Sequence, residues 1–144
     1  MSSQLGASRS DGVGIAAGHR SLFAWQVLSA LFLLAMGWIH LFRALTDVNG
    51  VLGVLFILNA VGALVLAIAM VVLRRRLLLV ACVLSVLFMA GTLLSLVLAL
   101  TVGLFGIGET LRGQLVTTAL VVESVGVVIL LVTTALVIRG RHAD

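Results

Sequence analysis

Among the polar side chains inside the long apolar runs of this sequence, Glu123, His40, Asn59 and Ser95 are the ones that could form a ligand or proton site. An acid well inside a membrane span costs on the order of 2.5 to 3.5 kcal/mol on insertion scales, so Glu123 must face other helices and not lipid. It is expected there as a neutral, hydrogen-bonded acid that fixes the register of a bundle, or as a proton carrier or ligand contact. In the second case His40 is its natural partner or gate, with Asn59 and Ser95 completing a polar cluster. No nucleophile stands beside a base and no complete metal-ligand set is present, so no residue is assigned a catalytic or metal-binding role and no cofactor is called for. Cys82 is the single cysteine, which excludes an intramolecular disulfide, CxxC redox exchange and a finger-type zinc site. It reads as a small core residue.

The elements that hold these groups follow from composition. The chain is 62% hydrophobic and only 10% charged, too few charges to cover a soluble domain of 144 residues. Four apolar stretches, at about 22–45, 51–73, 77–104 and 114–138, are each long enough to cross a bilayer. The expected fold is therefore all-α: an integral membrane four-helix bundle, antiparallel, up-down-up-down. Residues 1–20, rich in serine and glycine, read as a disordered cytoplasmic tail, and 21–144 as the transmembrane domain. The first stretch is too long for a signal-peptide core and lacks a small-residue cleavage site, so it is expected to stay as a signal-anchor. The third exceeds what a membrane needs, so it should tilt or let its last turn protrude.

Helical spacing then orients each face. Ser29, Leu33, Gly37 and His40 share one stripe of the first span; Asn59, Ala63 and Ala67, with Gly62 beside them, share one of the second. The third carries Ala81, Ser85, Thr92, Ser95, Ala99 and Gly103, and the fourth Ala119, Glu123 and Gly126. Small residues let backbones approach, so Gly37, Gly62, Ala63, Ala67, Thr92, Ala99 and Gly126 are the expected helix-packing positions. Counted along the helices at 1.5 Å per residue, Asn59 and Glu123 lie roughly 12 to 13 Å deep and His40 only about 4 to 8 Å, so direct contact between His40 and Glu123 requires tilt or a bridging water.

All nine basic residues are arginine. Arg9, Arg20, Arg74, Arg75, Arg76, Arg139 and Arg141 fall on one side of a four-span topology, against Arg43 and Arg112 on the other, which places both termini in the cytoplasm. Arg74, Arg75 and Arg76 act as a topology signal and offer an anionic-lipid site. The net charge of +4 flanks apolar runs and forms no folded basic surface, which argues against nucleic acid as a partner. The glycine-rich loop at 105–113 lacks the GK[ST] of a P-loop.

Three segments, Gly37-Trp38-Ile39-His40-Leu41, Leu55-Phe56-Ile57-Leu58-Asn59-Ala60-Val61-Gly62 and Thr101-Val102-Gly103-Leu104-Phe105-Gly106 before Glu109, resemble those of small, uncharacterised four-helix multi-pass membrane proteins of GC-rich Gram-positive bacteria and some archaea. The resemblance spans most of 22–138 and implies a plasma-membrane protein without assigning an activity. Vitamin K epoxide reductase-like enzymes would need paired cysteines, small multidrug transporters an acid in the first span, and a cytochrome b two intramembrane histidines. The expected function is an accessory or structural subunit whose small-residue faces pack against a second copy or a larger membrane complex. The alternative is a small proton-coupled transporter or ligand-binding protein built on Glu123 and His40. Whether Glu123 lines a cavity or is sealed by its neighbours separates the two.

Overall fold

The computed structural model describes residues 4–46, 50–102 and 115–142. They form four helices, α1 (Gln4–Thr46), α2 (Gly50–Val72), α3 (Arg75–Thr101) and α4 (Val116–His142). Within hydrocarbon each backbone amide must find its partner inside the segment, which an unbroken helix provides, and the chain has no proline to interrupt one. All four helices are long and apolar enough to cross a membrane: Arg20–Thr46, Gly50–Val72, Arg76–Thr101 and Val116–Arg141. This is an all-α four-helix bundle of a multi-pass membrane protein.

The boundaries depart from the sequence pattern in three places. α1 reaches back to Gln4 through the stretch that composition marks as a disordered tail. Extending an existing helix adds one bond per residue fixed and needs no new nucleus, which composition alone does not register. α3 stops at Thr101, where the Val102 amide bonds back to Leu98 O at 3.0 Å. The expected extension to Leu104 lies outside the described residues, as does Gly103. α4 starts at Val116, after Leu115 at φ 62, and the expected start at Gln114 lies outside the described residues.

Connections are tight where they are described. Only Leu73 and Arg74 separate α2 from α3, so the two run antiparallel as a hairpin. Arg74 is extended (φ −132, ψ 158) and makes no side-chain cap, and Arg75 and Arg76 open α3 itself. Cations at a helix N-terminus oppose its dipole, so this run does not serve helix capping. Gly50 opens α2 with φ +68, a left-handed conformation that a side chain resists.

The helices form a ring. α1 packs on both α2 and α4, α3 packs on α4, and α2 meets α3 least of all adjacent pairs. The axis of the bundle is filled by Leu33, Met36, Met70, Cys82, Met89 and Leu130, all fully buried. Three methionines suit such an axis, because unbranched thioethers fill irregular gaps between helices. Leucines, valines and isoleucines such as Leu31, Leu58, Val65 and Leu131 are at least half exposed and face outward, as lipid contact requires.

Close approaches occur at three glycines. A Cβ on Gly37 would stand 2.9 Å from Ala63 Cβ, one on Gly62 3.0 Å from the Phe88 ring, and one on Gly126 2.9 Å from Met89 Cε. These join α1 to α2, α2 to α3 and α4 to α3. Ala63 and Ala67 are buried along the same α2 face.

Candidate functional site

Glu123 projects from α4 into the bundle and is 1% exposed. Opposite it, one turn beyond the close contact at Gly37, α1 presents His40. The two side chains meet across the α1–α4 interface with Nε2 3.9 Å from Oε1. Helix tilt and the reach of two long side chains close the difference in depth counted along the axes. At 3.9 Å the two atoms are too far apart for a direct hydrogen bond.

The ring of His40 is held from behind. Its Nδ1 lies 3.0 Å from the Met36 carbonyl oxygen, which only accepts, so Nδ1 carries a proton and Nε2 of the neutral ring presents a lone pair. Phe56 of α2 stands edge-on to the imidazole, with ring centroids 5.0 Å apart. The Arg43 guanidinium sits 5.6 Å above the centre of the same Phe56 ring, a cation–π contact at the outer end of α1.

These groups line a cavity of about 520 Å³. Its walls bring together His40, Asn59, Ser95 and Glu123, one from each helix. Ligand pockets commonly span about 300 to 1,000 Å³, so the space suits a small organic molecule. Apolar walls come from Leu52, Leu55, Phe56, Leu87, Phe88 and Leu96. Among the described residues, Asn59 Oδ1 and Glu123 Oε2 are buried without a hydrogen-bond partner. A buried polar atom left unpaired costs about 1 to 3 kcal/mol, and both of these belong to residues that line the cavity.

The hydroxyls of the wall are turned inward on their own helix. Thr92 donates to Met89 O at 2.8 Å and Ser95 to Gly91 O at 2.9 Å. Each therefore has its one proton committed and offers only lone pairs to the cavity. Thr92 and Ala99, expected as close packing positions, face this open volume instead. Ser95 is exposed at its edge. Arg43 and Phe56 were not singled out by the sequence reading, although Arg43 follows His40 by three residues and Phe56 precedes Asn59 by three, which is helical spacing on the same faces.

The inner half of the bundle holds a second polar group of a different character. Thr133 Oγ1 lies 2.9 Å from Ile129 O, 3.3 Å from Trp25 O and 2.9 Å from Ser29 Oγ. Its single proton goes to a carbonyl, so Ser29 is the donor between the two hydroxyls. Thr134 donates to Leu130 O at 2.7 Å, and Cys82 Sγ approaches Met70 Sδ at 3.8 Å. This region is filled and fastens α1 to α4.

Arg74 and Arg76 lie exposed at the α2–α3 turn, at the opposite end of the bundle from the cavity. Asp47, Asn49, Glu109 and Arg112 lie outside the described residues. Compared with family models, with curated proteins and with solved structures, the chain finds no match.

Proposed function

We propose that this multi-pass membrane protein binds a small molecule in the cavity lined by His40, Asn59, Ser95 and Glu123. The observation that carries this reading is a 520 Å³ space lined by a polar residue from each helix, two of which, Asn59 and Glu123, hold a buried oxygen without a hydrogen-bond partner. A carboxyl serving only to fix helix register would have its oxygens paired by a neighbouring helix. Here one carboxyl oxygen stands 3.9 Å from His40 Nε2 and the other is buried without a hydrogen-bond partner.

The reading as an accessory subunit has less to rest on. The small residues that would receive a partner helix, Gly37, Gly62, Ala63 and Gly126, are occupied by contacts within the chain itself. The orientation we propose, in the plasma membrane with both termini cytoplasmic, is supported by the arginine bias of the sequence. In that orientation the cavity lies in the outer half of the bilayer.

The test is retention. Protein extracted in mild detergent from its own membranes is compared with Ser95→Trp, which fills the cavity edge, by mass spectrometry of the bound small molecules. The wild-type chain should carry a low-mass species that the tryptophan variant lacks. Equal extracts, or none from either, would overturn the proposal.

A further inference from the structure

We infer that the cavity is filled sideways from the bilayer, through a gap between α2 and α3 at Gly91, by an amphiphile with an apolar chain and an uncharged hydroxyl-bearing head. This rests on the ligand-binding reading above and names the class of ligand and its route.

The route follows from which walls are open. Of the cavity-lining residues, Ile39, Ala119 and Glu123 on α1 and α4 are buried, whereas Leu55 on α2 is 42% exposed and Leu87 on α3 is 64% exposed. Gly91 and Ser95, also on α3, are exposed too. The opening therefore lies on the α2–α3 side, where the ring of helices is weakest. Toward the inner end this seam is closed by the Phe88 ring against Gly62. One turn further out it is open: a Cβ on Gly91 would meet nothing within 4 Å.

The depth of that gap decides what reaches it. At 1.5 Å per residue Gly91 stands about 22 Å from Arg76 and about 15 Å from Thr101, within the ~30 Å hydrocarbon core. A molecule entering between α2 and α3 at this level comes from among acyl chains. Leu55 and Leu87 at the mouth suit a chain and not a hydrated head.

The head is defined by what the polar wall presents. Nε2 of His40 presents a lone pair, Thr92 and Ser95 have given their protons to Met89 O and Gly91 O, and the Asn59 amide and the Arg43 guanidinium bring N–H donors to the same wall. Glu123 supplies one proton at most. A wall with both acceptors and donors selects a group that donates and accepts, so hydroxyls fit, whereas a bare ester or ketone can only accept. An ammonium would also donate, but Arg43 already places a positive charge on this wall, which favours a neutral donor.

The experiment measures binding to the full chain in phosphatidylcholine nanodiscs, with three oleyl probes of equal chain length: 1-monooleoylglycerol, methyl oleate and oleylamine. Glycerol alone is the water-soluble control. Saturable binding of monooleoylglycerol about tenfold tighter than of either other oleyl probe is expected, with a loss of about tenfold in Asn59→Leu. Gly91→Phe, whose Cβ meets nothing within 4 Å, should abolish it, and Leu87→Trp at the same mouth serves if that variant fails to fold. Val65→Phe, on the lipid face of α2, should bind as wild type. Equal binding of methyl oleate would overturn the head assignment, tighter binding of oleylamine its neutrality, and undiminished binding in Gly91→Phe and Leu87→Trp the route. Binding of glycerol, or retention of a chainless molecule by wild type but not by Ser95→Trp, would overturn this inference while leaving the ligand site standing. Retention of nothing by either would remove the site itself.

Discussion

His40 and Glu123 face each other across α1 and α4 with Nε2 and Oε1 3.9 Å apart, a separation that neither bonds them directly nor lets another side chain between them. Because the Met36 carbonyl takes the Nδ1 proton, the imidazole turns its lone pair toward the acid. A protonated carboxyl is the complementary partner for that lone pair.

Replacing Glu123 distinguishes its shape from its proton. Glu123→Gln keeps the volume and a donor for His40, so its unfolding in detergent should stay within about 1 kcal/mol of wild type. Glu123→Ala removes the donor and leaves Nε2 facing an enlarged void, at a cost of about 1 to 3 kcal/mol. Ligand retention should survive in the glutamine variant and be lost in the alanine variant. A well-folded Glu123→Gln protein that retains nothing would show that titration of the acid is required for binding.

The α1–α2 contact gives a second measurement. Ala63 is fully buried against Gly37, whereas Val65, two residues on, is 59% exposed. Ala63→Leu should lower the melting temperature in detergent, with overpacking costing about 1 to 3 kcal/mol, and Val65→Leu should leave it nearly unchanged. Equal effects would mean that the α2 face at Ala63 does not touch α1.

Much of this arrangement was legible before the fold because one property decided it. Ser29, Leu33, Gly37 and His40, or Asn59, Ala63 and Ala67, repeat every three or four residues, and that period alone tells which side of a helix turns inward. The gap between α2 and α3 was not legible. It depends on how two helices diverge, which is set by the bulk of Phe88 on Gly62 and by the Arg74 turn, and no periodicity within one helix encodes a distance between two. Thr92 and Ala99 illustrate the ambiguity: a small side chain permits close approach where helices converge and leaves a hollow where they part. The helical run from Gln4 escaped for a different reason, since composition gauges the burial a segment can supply and not its continuation from a neighbouring helix.

Topology is open to chemical labelling. In a Cys82→Ala background, a small-for-small change, cysteines placed before Arg20 and after Arg141 should resist impermeant thiol reagents in intact cells and react after permeabilisation. Labelling of either from outside would reverse the proposed orientation, and with it the outer-leaflet position of the cavity.

The two tightest glycine contacts should respond differently to the same added methyl group. At Gly37 the new Cβ would stand 2.9 Å from Ala63 Cβ, with Ala60 O at 3.4 Å, so the obstacle is a methyl fixed to α2 and α2 backbone, and the helices must separate. At Gly126 the nearest atom, also at 2.9 Å, is Met89 Cε, the free end of a side chain with three rotatable bonds, and Met89 Sδ and Phe32 Cβ are no closer than 3.5 Å. Gly→Ala within a helix otherwise gains about 0.8 to 1 kcal/mol from propensity. Gly37→Ala should therefore lose about 1 to 3 kcal/mol to overpacking and melt earlier than wild type. Gly126→Ala, where a rotamer change of Met89 relieves the contact, should melt within a degree or so of wild type or slightly above it. Thermal unfolding of both variants in one detergent checks this directly. The reverse order would mean that α1 and α2 are free to slide apart while Met89 is locked, and the close contact at Gly37 would no longer account for how α1 sets His40 beside the cavity.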